Sequence, residues 1–258
     1  MRILFIGDIV GKPGRDAVRL FLPRLTDIWE PDVVIANGEN LVGGAGVNRE
    51  TATEMLGLGI AALTGGNHIF QHREGVEYLA ENPPVLRPLN YPPGAPGLGS
   101  VDVPVGDSLL TVINLQGRVF MPALDDPFRA ADAALSVLPD DRAVLIDMHA
   151  EATAEKQALA HYLDGRASAI VGTHTHVPTA DARLLPKGTA YISDVGMVGP
   201  RNSVIGSQAQ PVVRRYLTQM YERFQPATGP VDFNAVLIDL DEAGTARDIR
   251  LLQEIVQV

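Results

Sequence analysis

Cysteine is absent from this 258-residue chain. That excludes disulfides, a thiolate nucleophile and any sulfur-ligated metal, so a bound metal would have to be held by nitrogen and oxygen. Long apolar runs are missing as well. No segment approaches the roughly 20 apolar residues that span a bilayer, and the strand-like start at residues 2–7 is too short for a signal-peptide core, so the cytoplasm is the expected location. Basic charge is scarce: 21 Lys and Arg stand against 31 Asp and Glu, a net charge of −10, with pI near 5.0. Proteins that grip nucleic-acid polymers carry a basic face for the phosphates, and no basic run exists here, so a small substrate is expected. Bound divalent cations would reverse the local potential of an acidic site. Hydrophobic residues make up 46% and charged residues 20%, which supports a large core and argues against disorder.

What is present alternates between two patterns. Apolar, β-branched runs at residues 2–7, 32–37, 60–64, 109–114, 143–147, 167–171, 190–193 and 234–240 read as strands. Helices are expected from Gly14 towards Trp29, interrupted or kinked at Pro23, and from an Asn48 N-cap to Leu58. Others are expected from Asp126-Pro127 through Leu138, from Thr153 to Gly165, and from Pro211 through Phe224. Residues 212–224 are apolar enough to pack on the core or on a second subunit. Strand–helix alternation in the first half implies a mainly parallel sheet. Turns at Gly106-Asp107, Pro186-Lys187-Gly188 and Glu242-Ala243-Gly244 imply antiparallel pairs later. So many strands fit two packed sheets better than one, in an α/β fold of a single domain. Residues 82–99, rich in Pro and Gly, read as an ordered surface loop.

The chemistry gathers where the strands end. The first is followed by Gly7-Asp8, the second by Gly38-Glu39-Asn40 and the third by Gly65-Gly66-Asn67-His68. Later come Asp147 with His149, and then Gly172-Thr173-His174-Thr175-His176. Ligands of open α/β sheets bind outside the carboxyl ends of the strands. Taken alone, each of these residues has an ordinary explanation as a turn, cap or packed polar group. His174 and His176 are harder to dismiss, because in extended backbone i and i+2 face the same side. His72 and His161 fall in expected helices and read as structural or exposed. The set suits two adjacent divalent ions bridged by a carboxylate, with Glu39 the natural bridge; iron, manganese, zinc and cobalt all accept such donors. Two such ions lower the pKa of a bridging water from about 15.7 to about 7 and clamp the oxygens of an in-line displacement. Phosphoester hydrolysis is the reaction that most needs this.

In this order, the motifs resemble those of the calcineurin-type metallophosphoesterases. The departures are Val10 where that superfamily has His, Glu39-Asn40 where its bridging Asp stands, Ile69 after Gly-Asn-His, and Thr173 before His174. These departures match the YmdB-like branch. So do residues 6–11 (Ile-Gly-Asp-Ile-Val-Gly), 37–40 (Asn-Gly-Glu-Asn), 114–121 (Asn-Leu-Gln-Gly-Arg-Val-Phe-Met), and 193–200 with 202–206 (Asn-Ser-Val-Ile-Gly). The resemblance implies a four-layer sandwich of two mixed sheets flanked by helices. It implies one ion on Asp8, Glu39, Asn40 and His176, and another on Glu39, Asn67, His149 and His174. Asn40 would replace the missing histidine, a harder donor that points to iron or manganese, with zinc accepted. His68 would stay off the metal and serve as proton donor to the leaving oxygen. The implied activity is a metal-dependent phosphodiesterase acting on cyclic nucleotides such as 2′,3′-cyclic AMP, by attack of a metal-bridging hydroxide. Arg118, Arg201 and Asn202 are candidate phosphate or ribose contacts.

Rival readings are weaker. Residues 7–12 superficially suggest a phosphate-binding loop, but its glycines have three residues between them, and Pro13 follows Lys12 where Ser or Thr is required. Residues 43–46 lack the third glycine of a dinucleotide fingerprint. The alternative of another class is a regulatory protein that senses a nucleotide or contacts an RNA-processing partner on the same scaffold.

Overall fold

A computed structural model of the chain describes residues 1–139 and 141–258. The elements run β1 (Arg2–Ile6), β2 (Asp8–Ile9), α1 (Gly11–Trp29), β3 (Val33–Asn37), α2 (Arg49–Leu56), β4 (Ala62–Thr64) and α3 (Arg73–Leu79). They continue with β5 (Ser100–Val105), β6 (Ser108–Gln116), α4 (Pro127–Leu135), β7 (Ala143–His149), α5 (Thr153–Leu163) and β8 (Ala169–Thr173). The chain closes with β9 (Arg183–Leu184), β10 (Ala190–Ile192), β11 (Met197–Pro200), α6 (Ala209–Thr218), β12 (Val231–Leu240) and β13 (Ala246–Val256).

Two mixed sheets result. One has the order β2-β11-β12-β1-β3-β4 with β13 on the other edge of β12; the second has the order β5-β6-β7-β8-β10-β9. Strands β1, β3 and β4 are parallel, as are β6, β7, β8 and β10, while β12 runs antiparallel to β1, β11 and β13. Strand alternation builds the layers. Ile3, Phe5 and Ile35 face Val112, Leu145, Val171 and Ile192 between the sheets. Their neighbours Leu4 and Ile6 face Val18, Leu22 and Leu25 of α1 and Met55 of α2. On the far side, Ile113, Leu115 and Val144 meet Ala131 of α4 and Leu159 of α5. Helix, sheet, sheet, helix is the four-layer sandwich expected. The central strands β3, β7 and β8 are covered on both faces, which is why they read as continuous apolar runs.

Several local expectations hold. Asn48 caps α2 and completes a capping box with Thr51, and Asp126 accepts from Phe128 N and Arg129 N at the start of α4. The 82–99 loop is braced by a bridge between Leu86 and Leu98. Others fail for physical reasons. Helix α1 runs unbroken through Pro23, because the proline sits on the exposed side and water can satisfy the carbonyl that loses its partner. Helix α6 stops at Thr218: Gln219 adopts φ +57 and its N–H bonds Arg215 O, so residues 219–224 leave the helix. Only one side of α6 meets the core, through Val212, while Val213, Tyr216 and Leu217 are exposed. His72 precedes α3 as its N-cap rather than lying inside a helix, and its Nε2 bonds Ala45 O.

Candidate metal centre

The carboxyl ends of β1, β3, β4, β7 and β8 meet at one end of the sandwich. Asp8 is not in a turn; it begins β2, paired with Met197 of β11, and its N–H bonds Gly196 O at 3.0 Å. A Cβ at Gly7 would lie 2.0 Å from that same Gly196 oxygen, so only glycine permits the approach. Glu39 and Asn40 follow β3 in a turn pinned by Asn37, whose Oδ1 accepts from Glu39 N at 3.1 Å. After β4, the backbone at Gly66 presses on the centre so closely that a Cβ there would meet His149 Nε2 at 2.2 Å and Glu39 Oε2 at 2.3 Å. The peptide beyond is held by His68 N donating to Glu39 Oε2 at 3.0 Å.

His149 Nε2 is the hub of the first donor group. It lies 3.0 Å from Asn67 Oδ1, 3.1 Å from Glu39 Oε1 and 3.1 Å from His174 Nδ1. The atoms of Glu39, His149 and His174 that could ligate a metal all fall within 4.8 Å of one another. The other ring nitrogen is committed elsewhere. Thr173 Oγ1 donates its single proton to Asp147 Oδ1 at 2.7 Å, so towards His149 Nδ1, 2.8 Å away, it can only accept. Nδ1 therefore keeps its proton, and Nε2 is the atom that can exchange its proton for a cation.

A second group adjoins the first through Glu39. Asn40 Nδ2 lies 3.3 Å from Glu39 Oε1 and 3.1 Å from His176 Nε2, and His176 Nε2 lies 3.8 Å from Asp8 Oδ1. His176 Nδ1 donates to Ile205 O at 2.9 Å, which leaves Nε2 with its lone pair facing Asp8 and Asn40. Asp8 Oδ2 accepts from His174 N, yet Oδ1 is buried and has no hydrogen-bond partner. A buried carboxylate oxygen with no donor, facing an imidazole lone pair, is an arrangement a divalent cation would complete. The donor set fits such an ion.

Asn40 differs from expectation in one respect. Its Oδ1 faces His68 Nδ1 at 3.0 Å, and its nitrogen, not its oxygen, faces the centre. Oxygen ligation requires the carboxamide to turn over, whereupon Nδ2 would donate to His68 Nδ1 and the ring proton would sit on Nε2.

Electrostatics reflect this crowding. Burial alone would raise the Glu39 carboxyl, but the His149 ring and the His68 N–H hold it well below the ordinary carboxylate range. Burial opposes charge on His149, yet Glu39, Asp8 and Asp147 override it and push the ring up to about 9. His174 is driven down to about 3, first by burial and then by His149. Burial also lowers His176 and holds Asp8 well above its usual value.

His174 and His176 do reach the same space, but not for the reason read from the sequence. Strand β8 ends at Thr173, and the two histidines lie beyond it with φ of +96 and +66. Side-chain anchors hold this unusual backbone: Asp194 Oδ2 accepts from Thr175 N at 3.1 Å and from the buried Lys156 Nζ at 2.8 Å, and Lys156 also bonds Thr173 O. The bracing roles of Lys156, Asp194 and Thr173 were not legible in the sequence; Asp147, named there among the strand-end residues, accepts from Asn37, Thr64 and Thr173. Asp147 lies two residues before His149 on the same strand face.

The candidate substrate contacts are not gathered with the donors. Arg118 turns to Asp126 at 3.1 Å, Asn202 is exposed, and Arg201 pairs with Asp232 at 2.8 Å. Arg201 does line a cavity of about 700 Å³ that opens beside His176 and includes Ser203, Ile205 and Asn234. His161 lies exposed in α5.

Two mixed sheets, helices outside and a buried carboxylate–imidazole cluster at the strand ends define a phosphatase-type α/β fold. The crystal structure of a novel phosphatase from Mycoplasma pneumoniae superposes with a TM-score of 0.94 at 30% identity, covering 100% of this chain and 94% of that one. A hypothetical protein from Thermus thermophilus gives 0.93 at 47% identity, over 99% of each chain. The sequence profile of the YmdB-like proteins matches residues 4–252, and this chain belongs to that family. A relative from Bacillus subtilis (strain 168), the 2′,3′-cyclic-nucleotide 2′-phosphodiesterase, is 46% identical over 243 residues, 94% of this chain and 92% of the relative. No helix among the described residues is long and apolar enough to cross a membrane.

Proposed function

We propose that this chain is a metal-dependent phosphodiesterase of small phosphoesters, with 2′,3′-cyclic nucleotides as its substrate class. The supporting observation is Glu39 Oε1, which stands against both His149 Nε2 and Asn40 Nδ2 and so belongs to both donor groups. On this reading Asp8, Glu39, Asn40 and His176 would hold one divalent ion, and Glu39, Asn67, His149 and His174 would hold another. When bound, the ions supply a Lewis-acid clamp on the ester oxygens and an activated water as nucleophile. Oxygen-rich donors without sulfur favour iron or manganese at the Asp8 position. The name of the Bacillus relative supports the cyclic-nucleotide class.

The chain's own residues divide the remaining work. Thr173 and Ile205 O fix which nitrogen of His149 and His176 faces inward. Gly66 keeps the floor of the site at backbone height. His68, with its ring 40% exposed, is the catalytic residue: once the Asn40 carboxamide turns over and donates to Nδ1, the ring carries its proton on Nε2 and gives it to the departing oxygen. The deciding assay incubates Mn²⁺-loaded protein with 2′,3′-cyclic AMP and with bis(p-nitrophenyl) phosphate, and follows the products. Hydrolysis of both is expected. Full metal loading without turnover of either ester overturns the proposal in favour of a nucleotide-binding regulator.

A further inference from the structure

Gln116 occupies the last position of β6, in register with His149 of β7 and, through it, with Thr173 of β8. Along β6, Leu110 and Val112 belong to the core between the sheets, whereas Ile113 and Leu115 face the outer helices. Gln116 has the parity of the inward set. On that face Asn114 accepts from Gly65 N, next to the backbone that presses on the centre. His149 has the inward parity of its own strand, shared with Leu145. The carboxamide of Gln116 and the imidazole of His149 are therefore neighbours on one face, at the end where the donors converge.

The mount of this side chain is fixed. Asn90 clamps the Gln116 peptide from both sides, donating to its carbonyl at 2.8 Å and accepting from its N–H at 2.9 Å. The next residue, Gly117, bonds His149 O at 3.0 Å, and Glu155 holds the Arg118 and Val119 N–H groups beyond it. Yet the carboxamide itself is idle. Gln116 is fully buried, and neither its Oε1 nor its Nε2 has a hydrogen-bond partner. Among the described residues the only other such atom is Asp8 Oδ1, itself in the donor cluster. Buried polar atoms are nearly always paired in folded proteins, and an unpaired one calls for an explanation such as a catalytic role or a bound group that completes it. Asp8 and His149, within the donor cluster, are likewise fully buried.

We infer that Gln116 is a substrate-binding residue whose Nε2–H donates to a non-bridging phosphoryl oxygen of the ester, on the His149 side of the centre. The assignment rests on the phosphodiesterase reading above, and the test separates the two. A hydrogen bond to a charged oxygen is worth about 10- to 100-fold in binding. Gln116→Met keeps the volume and removes both polar atoms. Inorganic phosphate, titrated calorimetrically into Mn²⁺-loaded protein, is expected to bind about 10- to 100-fold more weakly to this variant. The variant should hold the same metal stoichiometry and have a Tm equal to or above that of the natural chain, because an unpaired amide has been deleted. Gln116→Glu, which sets a carboxylate oxygen against the phosphoryl group, should lose more than the Met variant. Equal phosphate affinity in all three proteins overturns the assignment, as does a Gln116→Met variant that loses Tm while binding phosphate normally. Turnover of bis(p-nitrophenyl) phosphate, read in parallel, reports on the broader reading: a natural chain that binds phosphate but cleaves no ester defeats the hydrolase and still decides Gln116.

Discussion

Thr173→Val is the substitution that most sharply separates a metal-orienting role from that of a generic buried core. The hydroxyl donates to Asp147 Oδ1 at 2.7 Å and accepts from His149 Nδ1 at 2.8 Å, with all three residues fully buried. Losing a hydrogen bond to a charged group costs about 1.5–3 kcal/mol, and stranding the His149 Nδ1–H costs about 1–3 kcal/mol more. The methyl that replaces the hydroxyl returns about 0.8 kcal/mol, for a net loss of about 3 kcal/mol. For a chain of this size that is a fall of about 6–12 °C in Tm. Metal affinity should fall by about 10- to 100-fold as well, because the ring is no longer held with Nε2 inward. Thr173→Ser retains both bonds and should stay near the natural protein in both respects. Thermal melts of chelator-treated protein and Mn²⁺ titration calorimetry read the two effects. A valine variant that melts within about 1 °C of the natural chain and binds Mn²⁺ within about twofold refutes the role given to this hydroxyl.

Further outcomes follow from the same geometry. His68→Ala should lose about 10²–10⁴-fold in turnover with metal content retained; loss of the metals instead would place the ring among the ligands. Lys156→Met leaves Asp194 buried without its partner and should cost about 3–5 kcal/mol by denaturant titration, whereas a cost below about 1 kcal/mol would show that the pair does not anchor the His174–His176 segment. Chelator-treated protein should also lose stability in alkali. The folded-state His149 titrates near 9 against an ordinary 6.5, so its contribution is complete below about 6.5 and disappears as pH rises through about 9. Glu39, held below the ordinary 4.5, contributes above that value and loses its contribution in stronger acid. A Tm that is flat between pH 6 and 9 in chelated protein would contradict the assigned pairing. Mn²⁺ loading, which must displace the Nε2 proton, should tighten over the same interval.

Much of the fold was legible because the central strands are buried on both faces: runs such as Leu4–Ile6 and Val144–Ile146 are continuous, and the turns between strands are marked by Gly, Pro and Asn. Strands β2 and β11 were not legible, because a two-residue strand after Gly7 carries no periodicity and exists only through its partner 189 positions away. The helix expected at His72 does exist as α3, but its bounds were not legible: its N-cap His72 offers no side-chain hydrogen bond, and seven residues are too few for a clear apolar stripe. The donors could be listed from the sequence since each follows an apolar run. How they meet could not. The shared space of His174 and His176 comes from two left-handed residues braced by Lys156 and Asp194, a tertiary effect with no local signature. The idle carboxamide of Gln116 is likewise invisible until the surrounding groups are placed.

On the proposed function, Glu39 joins two cations into one hydrolytic centre. Chelator-treated protein titrated with Mn²⁺, with turnover of 2′,3′-cyclic AMP followed at each addition, tests it most directly. Activity should rise to its limit only at two ions per chain, and Glu39→Gln should never reach it. Full activity at one ion per chain, or none at any loading, would contradict the claim.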